Sequence, residues 1–189
     1  MSYTSEKNFD KIDFTETPLP KGEYEACSFT NCNFSGVDLS NITFSECEFE
    51  SCNLSMTKIY KSTSFKTVHF KNCKLLGLHF QHANEFLIAF KFENCQLKLA
   101  SFYKLKLKDT LFKNCDLEEA DFTETDLTQA IFDACNLSKA TFENTNLEKT
   151  DFRTAYNYTI DLENNKPKKT KFSTSGLLGL LSKYDIIVE

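Results

Sequence analysis

The chain has 189 residues, 41% of them hydrophobic, enough for one domain with a sizeable core. Five Gly leave no glycine-rich phosphate loop, and no window is apolar and long enough to span a membrane. A net charge of −5 also argues against a general affinity for nucleic acid.

The N-terminal stretch "MSYTSEKNFDKIDF" has no apolar signal-peptide core. From there a large apolar residue returns every five positions: Phe9, Phe14, Leu19, Tyr24, Phe29, Phe34, Leu39, Phe44, Phe49, Leu54 and Ile59. One extra residue in "KIYKSTSF", near 60–64, precedes a second run at Phe65, Phe70, Leu75 and Phe80. The segment "QHANEFLIAF" shifts the phase by two over 81–91. Phe and Leu then alternate strictly from Phe92 to Phe152.

A step of five suits neither common element. On an α-helix it turns about 500°, so no face forms. On a straight strand an odd step flips each side chain to the opposite side. The step works if the chain turns a corner once per repeat, so that every central residue points at one axis. The position two before each centre is small or apolar, as at Cys115, Ala120, Thr125 and Ala130, and shares the inward side. Four right-angle corners close a square coil of 20 residues, and coils stack like a parallel sheet at about 4.8 Å. The three runs give 28 repeats, or seven coils and a rod roughly 30 Å long. Such fixed-period self-similarity marks a solenoid.

All eight Cys lie two before a centre, at Cys27, Cys32, Cys47, Cys52, Cys73, Cys95, Cys115 and Cys135. They read as small buried hydrophobes, with Cys95, Cys115 and Cys135 stacked in one ladder. No CxxC occurs to hold zinc. Reduced core thiols suit a cytoplasmic protein. His69 and His79 precede centres and face outward, and His79 and His82 share a side without a third ligand. A filled rod offers no cleft, so no catalytic residue, cofactor site or metal site is expected. The apolar Phe86, Leu87 and Ile88 are expected to fold back and seal the distorted coil, with a protruding bulge as the lesser reading. Leu111 and Ile131 should stack as an exposed apolar pair.

Beyond residue 155 the repeat fades, although Phe172 keeps the phase. In "STSGLLGLLSKYDIIVE", Ser173 or Ser175 caps a short helix, and Tyr184 to Val188 reads as a short strand. This segment is expected to cover an open end of the rod and to self-associate as a two-fold dimer. Leu177, Leu178, Leu180, Leu181, Ile186, Ile187 and Val188 would form the contact. The chain therefore divides into a repeat region, 1–155, and an irregular last coil with a capping segment, 156–189.

Charge is banded. Net values are −7 over 1–57, +8 over 58–114, −8 over 115–151 and +2 over 152–189. Asp116, Glu118, Glu119, Asp121, Glu124 and Asp126 occupy outward positions on adjoining walls and form the densest acidic patch. The plainer reading is that such charge keeps a solenoid dispersed. The basic band, with Lys91, Lys98, Lys104, Lys106, Lys108 and Lys113 around Tyr103, admits a nucleic-acid contact as a further alternative.

"ADFTE", "TDLTQ", "CNLSK" and "TNLEK" resemble the pentapeptide-repeat consensus A(D/N)LXX, over about residues 7–155. The resemblance implies an all-β solenoid, a right-handed quadrilateral parallel β-helix. The C-terminal segment resembles that of the Qnr and MfpA group, which ends in an apolar helix and strand and dimerises there. That group binds type II topoisomerases, gyrase or topoisomerase IV, as a mimic of duplex DNA. By this resemblance the chain is a non-enzymatic topoisomerase binder giving quinolone or toxin tolerance, its six acids standing in for phosphates. Two features depart from the group: the phase shifts insert only one and two residues rather than sizeable loops, and the 58–114 band is basic. A general protein-interaction scaffold is the alternative. Direct nucleic-acid binding and membrane contact are not expected.

Overall fold

The computed structural model describes residues 2–184 and 186–187. The predicted square coil is present. Eleven short strands run β1 Ser2–Ser5, β2 Asn8–Asp10, β3 Gly22–Glu25, β4 Ser28–Thr30, β5 Ile42–Ser45, β6 Glu48–Glu50, β7 Ser64–Lys66, β8 Val68–Lys71, β9 Phe90–Glu93, β10 Leu111–Lys113 and β11 Ile131–Asp133. β2, β4, β6, β8, β9, β10 and β11 form one seven-stranded parallel wall, with Phe29 over Phe9 and Phe132 over Phe112 in register. β1, β3, β5 and β7 form a second wall. The other two walls are narrower ladders of single parallel bridges, such as Gln96, Asp116 and Asn136 on one and Ser101, Asp121 and Thr141 on the other.

The interior follows the alternation read from the sequence. Phe92, Phe112, Phe132, Phe152 and Phe172 stack on one wall at centroid spacings of 4.8 to 5.5 Å, with interplanar angles of 9° or less. Phe80, Phe102, Phe122 and Phe142 stack on the opposite wall at 5.0 to 5.1 Å. The two columns meet edge to face, as Phe112 and Phe122 do at 5.9 Å and 88°. This is the arrangement the ring quadrupole favours. Leu97, Leu117, Leu137 and Leu107, Leu127, Leu147 line the remaining walls, all buried.

The corners have a specific backbone. Two residues after each centre the chain takes a left-handed φ between 50° and 62°, as at Asn114, Glu119, Glu124, Gln129, Ala134, Lys139, Asn144 and Lys149. At many corners the amide of the next residue closes a turn onto the centre's carbonyl, as from Ala120 to Leu117 at 3.0 Å, while the corners that follow Phe92, Phe112, Phe132 and Phe142 keep the left-handed residue without that bond. A third-place residue with positive φ is what a type II turn requires. The recurrence of Asn at Asn31, Asn72, Asn94 and Asn114 fits, since Asn tolerates this region best after Gly.

Two expectations change. Of Phe86, Leu87 and Ile88, only Ile88 folds back, in an antiparallel bridge with Lys66. A 3-10 turn, Phe80–His82, leads to Phe90, whose ring enters the axis against Phe80 at 5.0 Å. With that space filled, Phe86 and Leu87 stand out at 68% and 63% exposure and only Ile88 packs on the core. At the C-terminus Ser173 caps a 3-10 turn, Thr174–Gly176, followed by a short helix α1, Leu178–Leu181. The predicted strand does not form among the described residues Tyr184, Ile186 and Ile187, while Val188 lies outside them. A strand needs a free edge, and the last coil's Ile160 amide is already bonded to the Gly179 carbonyl at 3.1 Å. The stack itself continues past residue 155, through the Asp151–Lys171 and Asn146–Lys166 bridges.

Candidate functional site

The six acids expected to contact a partner all point outward, and coil stacking decides their partners. Lys98 lies one coil before Asp116 and Glu118 and pairs with both, at 3.3 and 2.6 Å. Lys104 pairs with Glu124 at 3.4 Å, Lys108 with Asp126 at 3.4 Å and Lys139 with Glu119 at 3.3 Å. Asp121 accepts from the Ser101 hydroxyl at 3.1 Å. The edge of the basic band thus laces into the edge of the acidic band, and the patch is one of mixed charge.

Three of these acids also shape the backbone. The carboxylate of Asp116 accepts the Glu118 amide, that of Asp121 the Thr123 amide and that of Asp126 the Thr128 amide, at 2.9 to 3.3 Å. Such Asx caps explain the recurrence of Asp or Asn before centres such as Leu117, Phe122 and Leu127. Burial works against the charge on Asp126, but the Thr128 hydroxyl and amide hold its carboxyl below the usual carboxylate range.

Sequence density concealed a second acidic surface. On the wall of β1, β3 and β5, Glu6, Glu23, Glu25 and Glu46 are exposed, and none forms an ion pair among the described residues. The signal was available at a separation of 20: Thr43 and Ser45, not lysines, lie beside Glu23 and Glu25 in the next coil. The first three coils thus carry a group of carboxylates without ion pairs, of which Glu25 accepts the Tyr3 hydroxyl.

The C-terminal residues form an apolar end. Leu177, Leu178, Leu181, Ile186 and Ile187 are exposed, Ile187 at 89%, while Leu180 packs on the core. Leu162 and Tyr184 extend this surface, and Lys183 ties it to the last coil through Asp161 and Glu163, each at 2.7 Å. Leu111 and Ile131 are register neighbours on β10 and β11; Ile131 is exposed and Leu111 half-buried.

All eight thiols are buried. The predicted ladder extends to six: Cys32, Cys52, Cys73, Cys95, Cys115 and Cys135 lie on one corner, and each thiol donates to a carbonyl of the preceding coil, as Cys135 does to Phe112 at 3.3 Å. The bond with Cys115 and burial push the Cys95 thiol up to about 12, and Cys135 does the same to Cys115. Because the thiolate is the reactive form, no thiol should react with a disulfide reagent in the native chain at neutral pH, and all eight should react after unfolding in guanidinium. Rapid native reaction of several thiols would contradict the ladder.

His79 and His82 lie side by side on the surface, their rings 5.7 Å apart and 19° from parallel. Among the described residues no group of three or more His, Cys, Asp or Glu is placed to hold a metal. Nor, among the described residues, is any helix long and apolar enough to cross a membrane.

Comparison with known proteins agrees with this geometry. Residues 27–63 match pentapeptide repeats (8 copies), and residues 87–155 match the pentapeptide repeat region. A trypsin-treated form of QnrB1, a plasmid-mediated fluoroquinolone resistance protein, superposes with a TM-score of 0.64 at 18% identity, covering 100% of both chains. A second trypsin-treated variant of QnrB1 gives 0.55 at 18% identity, covering 96% of this chain and 98% of that one. HetL, a pentapeptide repeat protein involved in heterocyst differentiation regulation from the cyanobacterium Nostoc sp., gives 0.40 at 14% identity, covering 89% and 86%. No curated protein matches the chain. At these identities the likeness is one of fold.

Proposed function

The chain belongs to the pentapeptide-repeat family, and from that premise we propose that it is a non-enzymatic, cytoplasmic binder of a type II topoisomerase that imitates duplex DNA. The observation that carries this reading is a filled rod with exposed carboxylates, free of ion pairs among the described residues, along one wall and its corner: Glu23 and Glu25, the latter accepting the Tyr3 hydroxyl, and Glu6 and Glu46 just after β1 and β5. Coils about 4.8 Å apart repeat charge along an axis, as phosphates do at about 3.4 Å along each DNA strand. Lysines and arginines of a DNA-binding saddle would meet these carboxylates first. Asp116, Glu118, Glu119, Asp121, Glu124 and Asp126 join once the partner's cationic side chains displace Lys98, Lys104, Lys108 and Lys139 from the acids these hold. The fold likeness to a fluoroquinolone resistance protein supports this choice of partner. The apolar end built by Leu177, Leu178, Leu181, Ile186 and Ile187 joins two copies into a double rod.

A second reading, a protein-interaction scaffold without a topoisomerase, is favoured by the ion pairs that neutralise the 116–126 acids. A gyrase supercoiling assay with and without a quinolone separates the two. The chain should inhibit supercoiling or restore it in the presence of drug. Changing Glu6, Glu23, Glu25 and Glu46 together to Gln should weaken the effect by about tenfold or more, as expected when rim charges that steer association are removed. Absence of inhibition, of protection and of a complex at low salt would reject the topoisomerase reading and leave the scaffold.

A further inference from the structure

Part of the basic band is not neutralised by acids: Lys58, Lys61, Lys66, Lys74, Lys106 and Lys113 form no ion pair among the described residues. Lys104, Lys108 and Lys98 are engaged with the next coil, whereas Lys58 and Lys61 are exposed. They flank Tyr60, 48% exposed, on the wall whose centres are Ile59, Phe80 and Phe102. The coils are bonded on either side of this point, Met56 to Leu76 and Asn84 to Thr63. The Lys58–Lys61 row therefore lies beside the His79–His82 row. There the two imidazoles stand parallel and exposed. Four residues past His82, in a stretch that pairs with β7 on the adjoining wall through Asn84 and Ile88, the irregular coil exposes Phe86 at 68%. In the next row Tyr103 is less available, because Lys104 covers its ring at 4.8 Å and its hydroxyl donates to Glu124 at 3.2 Å. Asp38 is the register neighbour of Lys58 in the preceding coil and is also held by Lys21 at 3.7 Å, leaving Lys61 the more open of the two lysines; the other nearby acids are Glu124, held by Lys104, and Glu85 beside Phe86.

An exposed Tyr, two stacked His and an exposed Phe beside two unpaired Lys combine the two elements of sequence-tolerant single-strand recognition: aromatic faces for bases and cations for the backbone. We propose that this wall and the edge it shares with the β7 wall bind single-stranded nucleic acid, with Lys58 and Lys61 on phosphates and Tyr60, His79, His82 and, across that edge, Phe86 against unpaired bases. One coil, about 4.8 Å, separates the Tyr60 row from the imidazoles, the same order as the ~3.4 Å between neighbouring nucleotides on a strand. A duplex is disfavoured because its bases face one another inside the helix and leave no faces for the rings. The site also gives the 81–91 irregularity a use: a regular repeat would have kept residue 86 within a wall. This binding is separate from the topoisomerase reading and involves none of the Glu6 to Glu46 carboxylates.

The test uses the whole chain and a fluorescein-labelled oligothymidylate of about 15 nucleotides, followed by anisotropy at about 50 and 200 mM NaCl. Saturable binding is expected, weakening about sevenfold between the two salts for two phosphate contacts on a single strand. Replacing Tyr60 and Phe86 together by Ala should lower affinity at least about fivefold, the lower bound for one lost stacking contact. The charge-reversed pair Lys58→Glu and Lys61→Glu should abolish binding, and a duplex of the same length should bind more weakly than the single strand. All four positions are exposed, so each variant is checked for an unchanged melting temperature before titration. No saturable binding at the lower salt would overturn the proposal, as would undiminished binding by folded variants or a preference for duplex. No topoisomerase is present in this assay, so its failure and the failure of the supercoiling assay are read independently.

Discussion

Replacing Phe112 with Ala should cost about 3–5 kcal/mol of stability, a large share of the roughly 5–15 kcal/mol typical of a folded domain. Phe112 is fully buried and lies between Phe92 at 5.1 Å and Phe132 at 4.8 Å, both nearly parallel to it. Phe102 and Phe122 meet it edge-on at 5.8 and 5.9 Å. Truncation removes the ring from two stacks and two edge contacts, and the neighbouring coils cannot collapse into the space because backbone ladders hold their spacing. In a solenoid each coil is stabilised by its neighbours, so the loss falls on one interface and should also make unfolding less concerted. Urea denaturation followed by circular dichroism provides the check, with a lower midpoint and a broadened or divided transition expected. Phe86→Ala serves as the control: its ring is exposed, so stability should stay within about 0.5 kcal/mol. A Phe112 variant losing less than about 1 kcal/mol would show that the stacked column is not what couples the coils.

The second large effect is expected at the C-terminal end. A Cβ added to Gly179 would lie 2.1 Å from the backbone carbonyl oxygen of Tyr158, which cannot move without its coil. At Gly176 the obstacle is the Tyr158 hydroxyl at 1.8 Å, on a side chain with some freedom to turn. Gly179→Ala should therefore be the more damaging, costing about 1–3 kcal/mol in the docking of α1 against the last coil. Two local readouts follow. The Ile160 amide, which donates to Gly179, should lose protection from hydrogen exchange while Phe112 keeps its own. If Leu177, Leu178 and Leu181 form the contact between two copies, light scattering should show a dimer for the unaltered chain and a monomer for the variant at micromolar concentration. Unchanged Ile160 protection would refute the docking argument, and a monomeric unaltered chain would refute the dimer.

The rod was legible in the sequence because its interior accepts only two residues of every five. Phe, Leu and Cys at those places report the axis directly, which is why the coil, the opposed Phe and Leu walls and the thiol ladder could be read from spacing. The corner was less visible. Its left-handed residue can be Asn, Glu, Lys, Gln or Ala, as at Asn114, Glu119, Lys139, Gln129 and Ala134, because the turn is enforced by stacking rather than by glycine. Surface charge was misleading when counted along the chain. Asp116 and Glu118 are neighbours in sequence, yet the residue that sets their potential is Lys98, one coil away. Reading each acid against the residue 20 positions before and after it brings out Glu23 and Glu25 instead. The 81–91 segment and the C-terminal end could not be read from the repeat, because there Phe90 and Tyr158 impose packing outside the period.

The entry of Phe90 into the axis has a practical consequence. It lets the chain gain residues on one wall and recover register within a single coil, since Phe92 already lies flat on Phe70 at 5.4 Å. The stretch between Glu85 and Ile88 is therefore a natural graft point: a foreign peptide displayed in place of Phe86 and Leu87 would project sideways from a stiff shaft whose ends are undisturbed. Chain length can vary at this site without the core having to be redesigned.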